Sequence, residues 1–135
     1  MADINFGEIS EALNEKLDRD TNNIQSPKLP IFLIDVQYPT ASNNYRWYRL
    51  YSDGWIEQGG YQEVADDANV TVTLTKPMAD TNYSVLFGNR SSTYTASTFA
   101  SPTCIGKSTT TINIGGQSNS GNCNCDWMVC GKAAV

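Results

Sequence analysis

Histidine does not occur once in the 135 residues. Its absence removes the side chain most often used as a general base near neutral pH, and the commonest metal ligand. Cations are also few: nine Lys and Arg stand against fourteen Asp and Glu, a formal net charge of −5. That balance excludes the cation-driven partners, nucleic acid and anionic membrane surfaces. No apolar run is long enough to span a bilayer. The start, Met1-Ala2-Asp3-Ile4-Asn5, lacks the basic and apolar regions of a secretory signal, so synthesis and folding in a cytoplasm are expected. Also missing are G-x-S-x-G, a phosphate-binding glycine loop, a Cys/His pair and the paired C-x2-C of structural zinc.

The four cysteines therefore need another explanation. Cys104 stands alone, and Cys123, Cys125 and Cys130 form C-x-C-x4-C. Reduced structural thiols are the first expectation, a disulfide formed after release to an oxidising environment the second, and a metal site the last. Asp66, Asp67 and Asn69 match no calcium-loop signature. No metal and no cofactor are expected.

What is present is aromatic and β-branched. Tyr45 to Gly60 reads Y-R-W-Y-R-L-Y-S-D-G-W-I-E-Q-G-G. Alternation places Tyr45, Trp47, Arg49 and Tyr51 on one face, and Arg46, Tyr48 and Leu50 on the other. Ser52-Asp53-Gly54 supplies the tight turn. Trp55 to Gln58 resumes the alternation, and Gly59-Gly60 is expected to end it. The predicted hairpin carries two arginines against Glu57, so Arg46 or Arg49 should pair with that carboxylate, across the hairpin or to a neighbouring subunit.

Ahead of the hairpin, Phe6, Ile9, Leu13 and Leu17 fall on one face of an amphipathic helix, with Glu15 and Arg19 a favourable pair four residues apart. So short a helix is marginal alone. Residues 1–22 are expected to form an oligomeric stalk segment, 23–30 a linker containing Pro27 and Pro30, and 31–135 a β-rich head. Ile31 to Val36 is apolar on both faces apart from Asp35, as in a strand covered on both sides.

Tyr61 to Asn69 reads as an acidic connection. Val70, Val72 and Leu74 should face the core and the intervening threonines water. Lys76-Pro77 ends that strand. Asn82 to Asn89 places Tyr83, Val85 and Phe87 on one side and Leu86 on the other. Arg90 to Thr103 is a long Ser/Thr-rich loop. Strands are predicted at 104–107, at 109–114 and at 126–131, with a Gly/Ser/Asn loop over 115–122. Together these segments predict an all-β, antiparallel sandwich or barrel-like head behind a short N-terminal α-helix.

Four strings, Y-R-L-Y-S-D-G-W-I-E-Q-G-G, T-V-T-L-T-K-P-M-A-D-T-N-Y-S-V-L-F-G-N, C-D-W-M-V-C-G and the opening E-I-S-E-A-L-N-E-K-L-D-R-D-T-N-N, touch most of the chain. In that content the chain resembles the C-terminal, receptor-binding domains of bacteriophage tail fibres. The resemblance implies a homotrimeric virion protein that contacts other phage tail proteins and a host surface polysaccharide or outer-membrane protein. It lacks the long shaft of such fibres, which leaves its place in the particle open.

The loops supply adaptable hydrogen-bonding and flat apolar groups for such contact: Asn89, Arg90, Ser92, Tyr94 and Phe99, with Asn43 and Asn44. Ile9, Leu13, Leu17, Trp47, Arg49, Trp55 and Glu57 are assigned to architecture and the trimer interface. A structural cap, collar or assembly module without a host receptor is the competing expectation. A glycan depolymerase has least behind it: two suitably spaced carboxylates are needed, whereas Asp53 has a turn role and Glu57 neighbours arginines. No enzymatic activity is expected.

Overall fold

A computed structural model describes residues 7, 11, 30–90, 99–119 and 121–134. The chain divides into two units, Met1–Pro30 and Ile31–Val135. Of the first, Gly7 and Glu11 are helical and exposed. The expected helix stripe of Ile9, Leu13 and Leu17 lies outside the described residues.

Among the described residues of the second unit run eight strands, β1 (Leu33–Gln37), β2 (Trp47–Tyr51), β3 (Trp55–Gln62), β4 (Ala68–Thr73), β5 (Ser84–Arg90), β6 (Ala100–Lys107), β7 (Thr111–Ser118) and β8 (Asn124–Lys132). A five-stranded sheet has the order β1-β2-β3-β8-β5, and a three-stranded sheet the order β4-β7-β6. Every pairing is antiparallel. The two sheets share one core, so the expected all-β sandwich is the observed architecture.

Alternation explains which side chains enter that core. Ile56, Trp127 and Val129 come from the larger sheet, and Val72, Ile112 and Ile114 from the smaller, all at 2% exposure or less. Full burial of side chains of this size contributes about 1.5–3 kcal/mol each. Gln58 is a fully buried polar side chain beside that core. Its amide donates to Lys76 O (2.8 Å) and Met78 Sδ (3.4 Å) and accepts from Lys76 N (3.0 Å), so burial leaves it satisfied. The cysteines are free thiols, and burial pushes that of Cys125 up to about 11, which keeps it protonated.

The hairpin turn forms where the sequence places it. Gly54 has φ 83°, its N–H donates to Tyr51 O (2.9 Å), and Asp53 Oδ1 accepts from Trp55 N (3.0 Å). Strand β3, however, runs through Gly59 and Gly60 to Gln62 rather than ending there. A Cβ on Gly59 would lie 2.5 Å from the Trp127 carbonyl oxygen and 2.8 Å from Cζ2 of the Trp47 ring. Glycine here admits an indole laid across the strand, the device by which aromatics cover glycines in sheets.

Other boundaries move for related reasons. Strand β6 begins at Ala100, inside the expected loop, and its Pro102 is tolerated because β6 is an edge strand. Strand β7 continues to Ser118 through Gly115 and Gly116, and a Cβ on Gly116 would lie 2.6 Å from Val64 Cγ1. Tyr61 and Gln62 extend β3, and Ala68 and Asn69 open β4, which shortens the acidic connection. Val72 and Leu74 are buried and Thr71 and Thr73 exposed, as the alternation predicts.

The largest departure concerns β1. It is an edge strand, and Ile31, Phe32, Leu33 and Ile34 are 44–64% exposed rather than covered on both sides. An apolar run records a need for cover, not which molecule supplies it.

Candidate binding face

The outer face of the five-stranded sheet is assembled by register. Trp47 stands opposite Gly59, Gly59 opposite Met128, and Met128 opposite Leu86, so one row crosses β2, β3, β8 and β5. The next row in one direction is Arg49, Glu57, Cys130 and Ser84. In the other direction it is Tyr61, Asp126 and Gly88. The central row is apolar and half-open: Leu86 is 51% exposed, and Trp47 and Met128 are intermediate.

Along this face runs a groove of about 850 Å³, walled by Tyr45, Trp47, Tyr61, Leu86, Arg90 and Asp126. Its charged end is an ion pair, Arg90 Nε to Asp126 Oδ2 at 2.7 Å, with the Arg90 guanidinium also 5.0 Å from the Tyr61 ring centre. Asp126 holds the guanidinium above its ordinary range. The Tyr61 phenol is also raised, by burial and then by Glu63, to which its hydroxyl donates (3.3 Å).

Tyr45 reaches the rim through an unusual backbone. Asn44 (φ 56°) and Tyr45 (φ 57°) are both left-handed, which costs of order 1–3 kcal/mol for a residue like Tyr45. The preceding loop imposes it. Thr40 caps the short 3-10 turn Ala41–Asn43, and Tyr45 N–H donates to Thr40 O (2.8 Å). Asn43 is spent on that loop: its Oδ1 accepts from Thr40 N (2.9 Å) and its Nδ2 donates to Tyr38 O (2.8 Å).

The residues singled out in sequence thus fall into groups. Arg90 lines the groove, and Asn43 and Asn44 hold Tyr45 there. Asn89 donates its Nδ2 to Ala100 O, tying the ends of β5 and β6. Phe99, 52% exposed, is bound to the next loop through Asn119 Oδ1 (2.9 Å from Phe99 N). Ser92 and Tyr94 lie outside the described residues. Trp47, Arg49, Trp55 and Glu57 all belong to the outer face, with Arg49 directly opposite Glu57. Arg46 does not pair with Glu57: just before β2 and alternating with outward Trp47, it packs 5.1 Å from the Trp127 ring and donates to Thr73 O (2.6 Å). Burial lowers its pKa. Leu86, Asp126 and Met128 lie in strands predicted from the sequence, but the register that joins them is not local, and Tyr61 reads in sequence as the start of a connection rather than as part of β3.

A second depression of about 350 Å³ adjoins the first across Trp47, lined by Val36, Tyr38, Arg49 and Glu57. At the far side of β2, Asp35 accepts from Tyr48 (3.1 Å) and pairs with Lys76 (3.0 Å). Lys76 and then Tyr48 hold the Asp35 carboxyl below its usual range.

No family model matches the chain, and no curated protein matches it. Two solved structures do. One is a C-terminal fragment of the P. aeruginosa R2 pyocin fibre, at TM-score 0.60 and 20% identity over 77% of this chain and 26% of that one. The other is an N-truncated R2-type pyocin tail fibre, at TM-score 0.56 and 20% identity over 77% of this chain and 38% of that one. The chain therefore spans well under half the length of either, and its head has a fold found in the C-terminal part of pyocin tail fibres.

Proposed function

We propose that this chain is the receptor-binding tip of a phage-type tail fibre, acting as a homotrimer on the surface of a bacterial host. The likeness in fold to pyocin tail fibres carries the reading. It gains support from an aromatic sheet face and an apolar edge that stay exposed among the described residues, Leu86 at 51% and Ile31 to Ile34 at 44–64%. Exposed apolar surface of this extent marks interaction sites.

The two surfaces divide the work. The apolar edge Ile31–Ile34 is the kind of strand that native proteins cover, and a second and third copy would cover it here. The N-terminal stripe of Ile9, Leu13 and Leu17 and the Arg49, Trp55 and Glu57 end of the outer face add to that subunit contact. The opposite end of the face, with Asn89, Arg90 and the Tyr38–Asn44 segment, meets the host polysaccharide or outer-membrane protein. The fibre sits in the virion tail and is made in the host cytoplasm. Among the described residues, no helix is long and apolar enough to cross a membrane.

The tip binds rather than cleaves. A glycosidase needs two carboxyl groups set across the scissile bond and free to act on it. Asp126 and Asp35 are each paired with a cation, Asp53 is spent on its turn, and Glu57 stands opposite Arg49. The deciding experiment is adsorption of the purified protein to Gram-negative strains with complete or truncated surface polysaccharide. Binding that follows the surface structure is expected. No adsorption, with tight co-purification of another tail protein, would favour an assembly module instead.

A further inference from the structure

We infer that the groove on the outer face of the five-stranded sheet takes an uncharged pyranose of a bacterial surface glycan. Tyr45 and Trp47 supply its flat apolar walls, and the Arg90–Asp126 pair meets the sugar hydroxyls. The inference rests on the adhesin reading and gives it a place and a ligand class, moving recognition from the loop ends onto the sheet.

Three observations converge. The groove, at about 850 Å³, is within the size range of small-molecule sites and holds a few sugar rings. Its aromatics are held in position at a cost. Two consecutive non-glycine residues adopt left-handed backbone, yet Tyr45 remains 53% exposed, so burial does not repay the strain. Strain that packing does not explain is a mark of function. Finally, the ion pair engages Nε of Arg90 and Oδ2 of Asp126. The guanidinium Nη groups and Asp126 Oδ1 are the further donors and acceptor, the set that vicinal hydroxyls satisfy.

Charge selects among glycans. Arg90 and Asp126 are the ionisable pair of the groove wall and neutralise one another, and the chain carries −5 overall. A phosphorylated or uronate-bearing sugar would meet no net cation there. A second copy of the chain suits the Ile31–Ile34 edge better than the groove, because that edge is apolar throughout, exposed and on an edge strand, whereas the groove holds an ion pair.

The test uses the full chain on an array of uncharged O-polysaccharide fragments, with phosphorylated core and uronate-containing fragments as controls. Wild type should bind uncharged members. Tyr45→Asn and Arg90→Met should each lose about tenfold or more in affinity, equivalent to about 1.4 kcal/mol. Asn tolerates the left-handed backbone, so Tyr45→Asn should melt no lower than wild type and binding loss cannot be ascribed to unfolding. Unchanged binding in both variants, binding confined to anionic fragments, or dissociation of the oligomer in either variant would overturn the inference. If the variants still adsorb to cells like wild type, the groove assignment fails and the adhesin reading stands. If wild type adsorbs to no cell, both fail.

Discussion

The two sheets have matched inner faces and opposite outer ones. Inside, each contributes β-branched or aromatic side chains at alternate positions to one core. Outside, the three-stranded sheet presents Thr71, Thr73, Asn113, Gln117, Ser101 and Thr103, with Thr71 Oγ1 donating to Asn113 Oδ1 at 2.8 Å. That surface is polar apart from Ile105, which is 54% exposed over Gly115. The five-stranded sheet instead presents Trp47, Trp55, Tyr61, Leu86 and Met128 around an ion pair. The difference teaches that hydrophobic alternation builds the sandwich, while the outward half of the same alternation records whether a face is meant for solvent or for a partner.

Glycine substitution should break the comparison most strongly. Gly59→Ala would set a methyl against the Trp127 carbonyl oxygen and the Trp47 ring, and is expected to cost about 2–4 kcal/mol, read as a fall in denaturation midpoint. Gly115→Ala on the smaller sheet meets Ile105 Cγ2 at 3.1 Å, and because Ile105 is 54% exposed and can shift outwards, the change is expected to cost at most about 1 kcal/mol. Equal losses would mean that the two glycines serve the same purpose.

Next in size is the buried amide. Gln58→Ala removes three hydrogen bonds and leaves the Lys76 backbone unpaired, so urea unfolding should report a loss of about 2–4 kcal/mol. The phenol of Tyr83 gives a comparable effect that depends on pH. Its hydroxyl donates to Ser108 O (2.7 Å) and Thr111 O (3.2 Å), and burial pushes it up to about 12. A raised value means that the folded state holds the proton more tightly. Its stabilising contribution is complete below pH 10 and is lost as pH rises towards 12, by about 2–3 kcal/mol at the end. Tyr83→Phe should flatten that alkaline decline; an unchanged decline would assign it to another group.

At the acid end the effect is smaller and its sign is opposite. Lys76 and Tyr48 hold the exposed Asp35 carboxyl below its ordinary 3.8, so the stability it confers is present above that value and fades as pH falls through the folded-state value. Thermal melts of Asp35→Asn should therefore show a shallower acid slope than wild type. An identical slope would show that the pair is without thermodynamic effect, as many exposed pairs are.

How much of this was legible follows from where the information lies. Strands β4, β5 and β8 and the β2–β3 turn are written locally, in period-two patterns such as Val70-Thr71-Val72 and in Asp53-Gly54. Strand β6 and the second half of β7 are not, because Ser, Thr and Gly stretches read as loops until a neighbour supplies the ladder. Gly59 reads as a terminator for the same reason: the Trp47 ring and the Trp127 carbonyl oxygen that require it come from other strands. At the site, Arg90 stood out by its loop chemistry. The row Trp47, Gly59, Met128 and Leu86 did not, since it exists only once four strands from distant parts of the chain are in register.

The comparison of outer faces is tested most directly by one matched pair of surface charges. Leu86→Lys lies on the aromatic face and Thr103→Lys on the threonine face, both exposed, so both should leave the unfolding free energy within about 0.5 kcal/mol of wild type. Adsorption to susceptible cells is then measured for the two proteins side by side at equal oligomeric mass. Loss of adsorption in Leu86→Lys, with Thr103→Lys indistinguishable from wild type, is the expected result. Equal adsorption by both, or loss in Thr103→Lys alone, would contradict it.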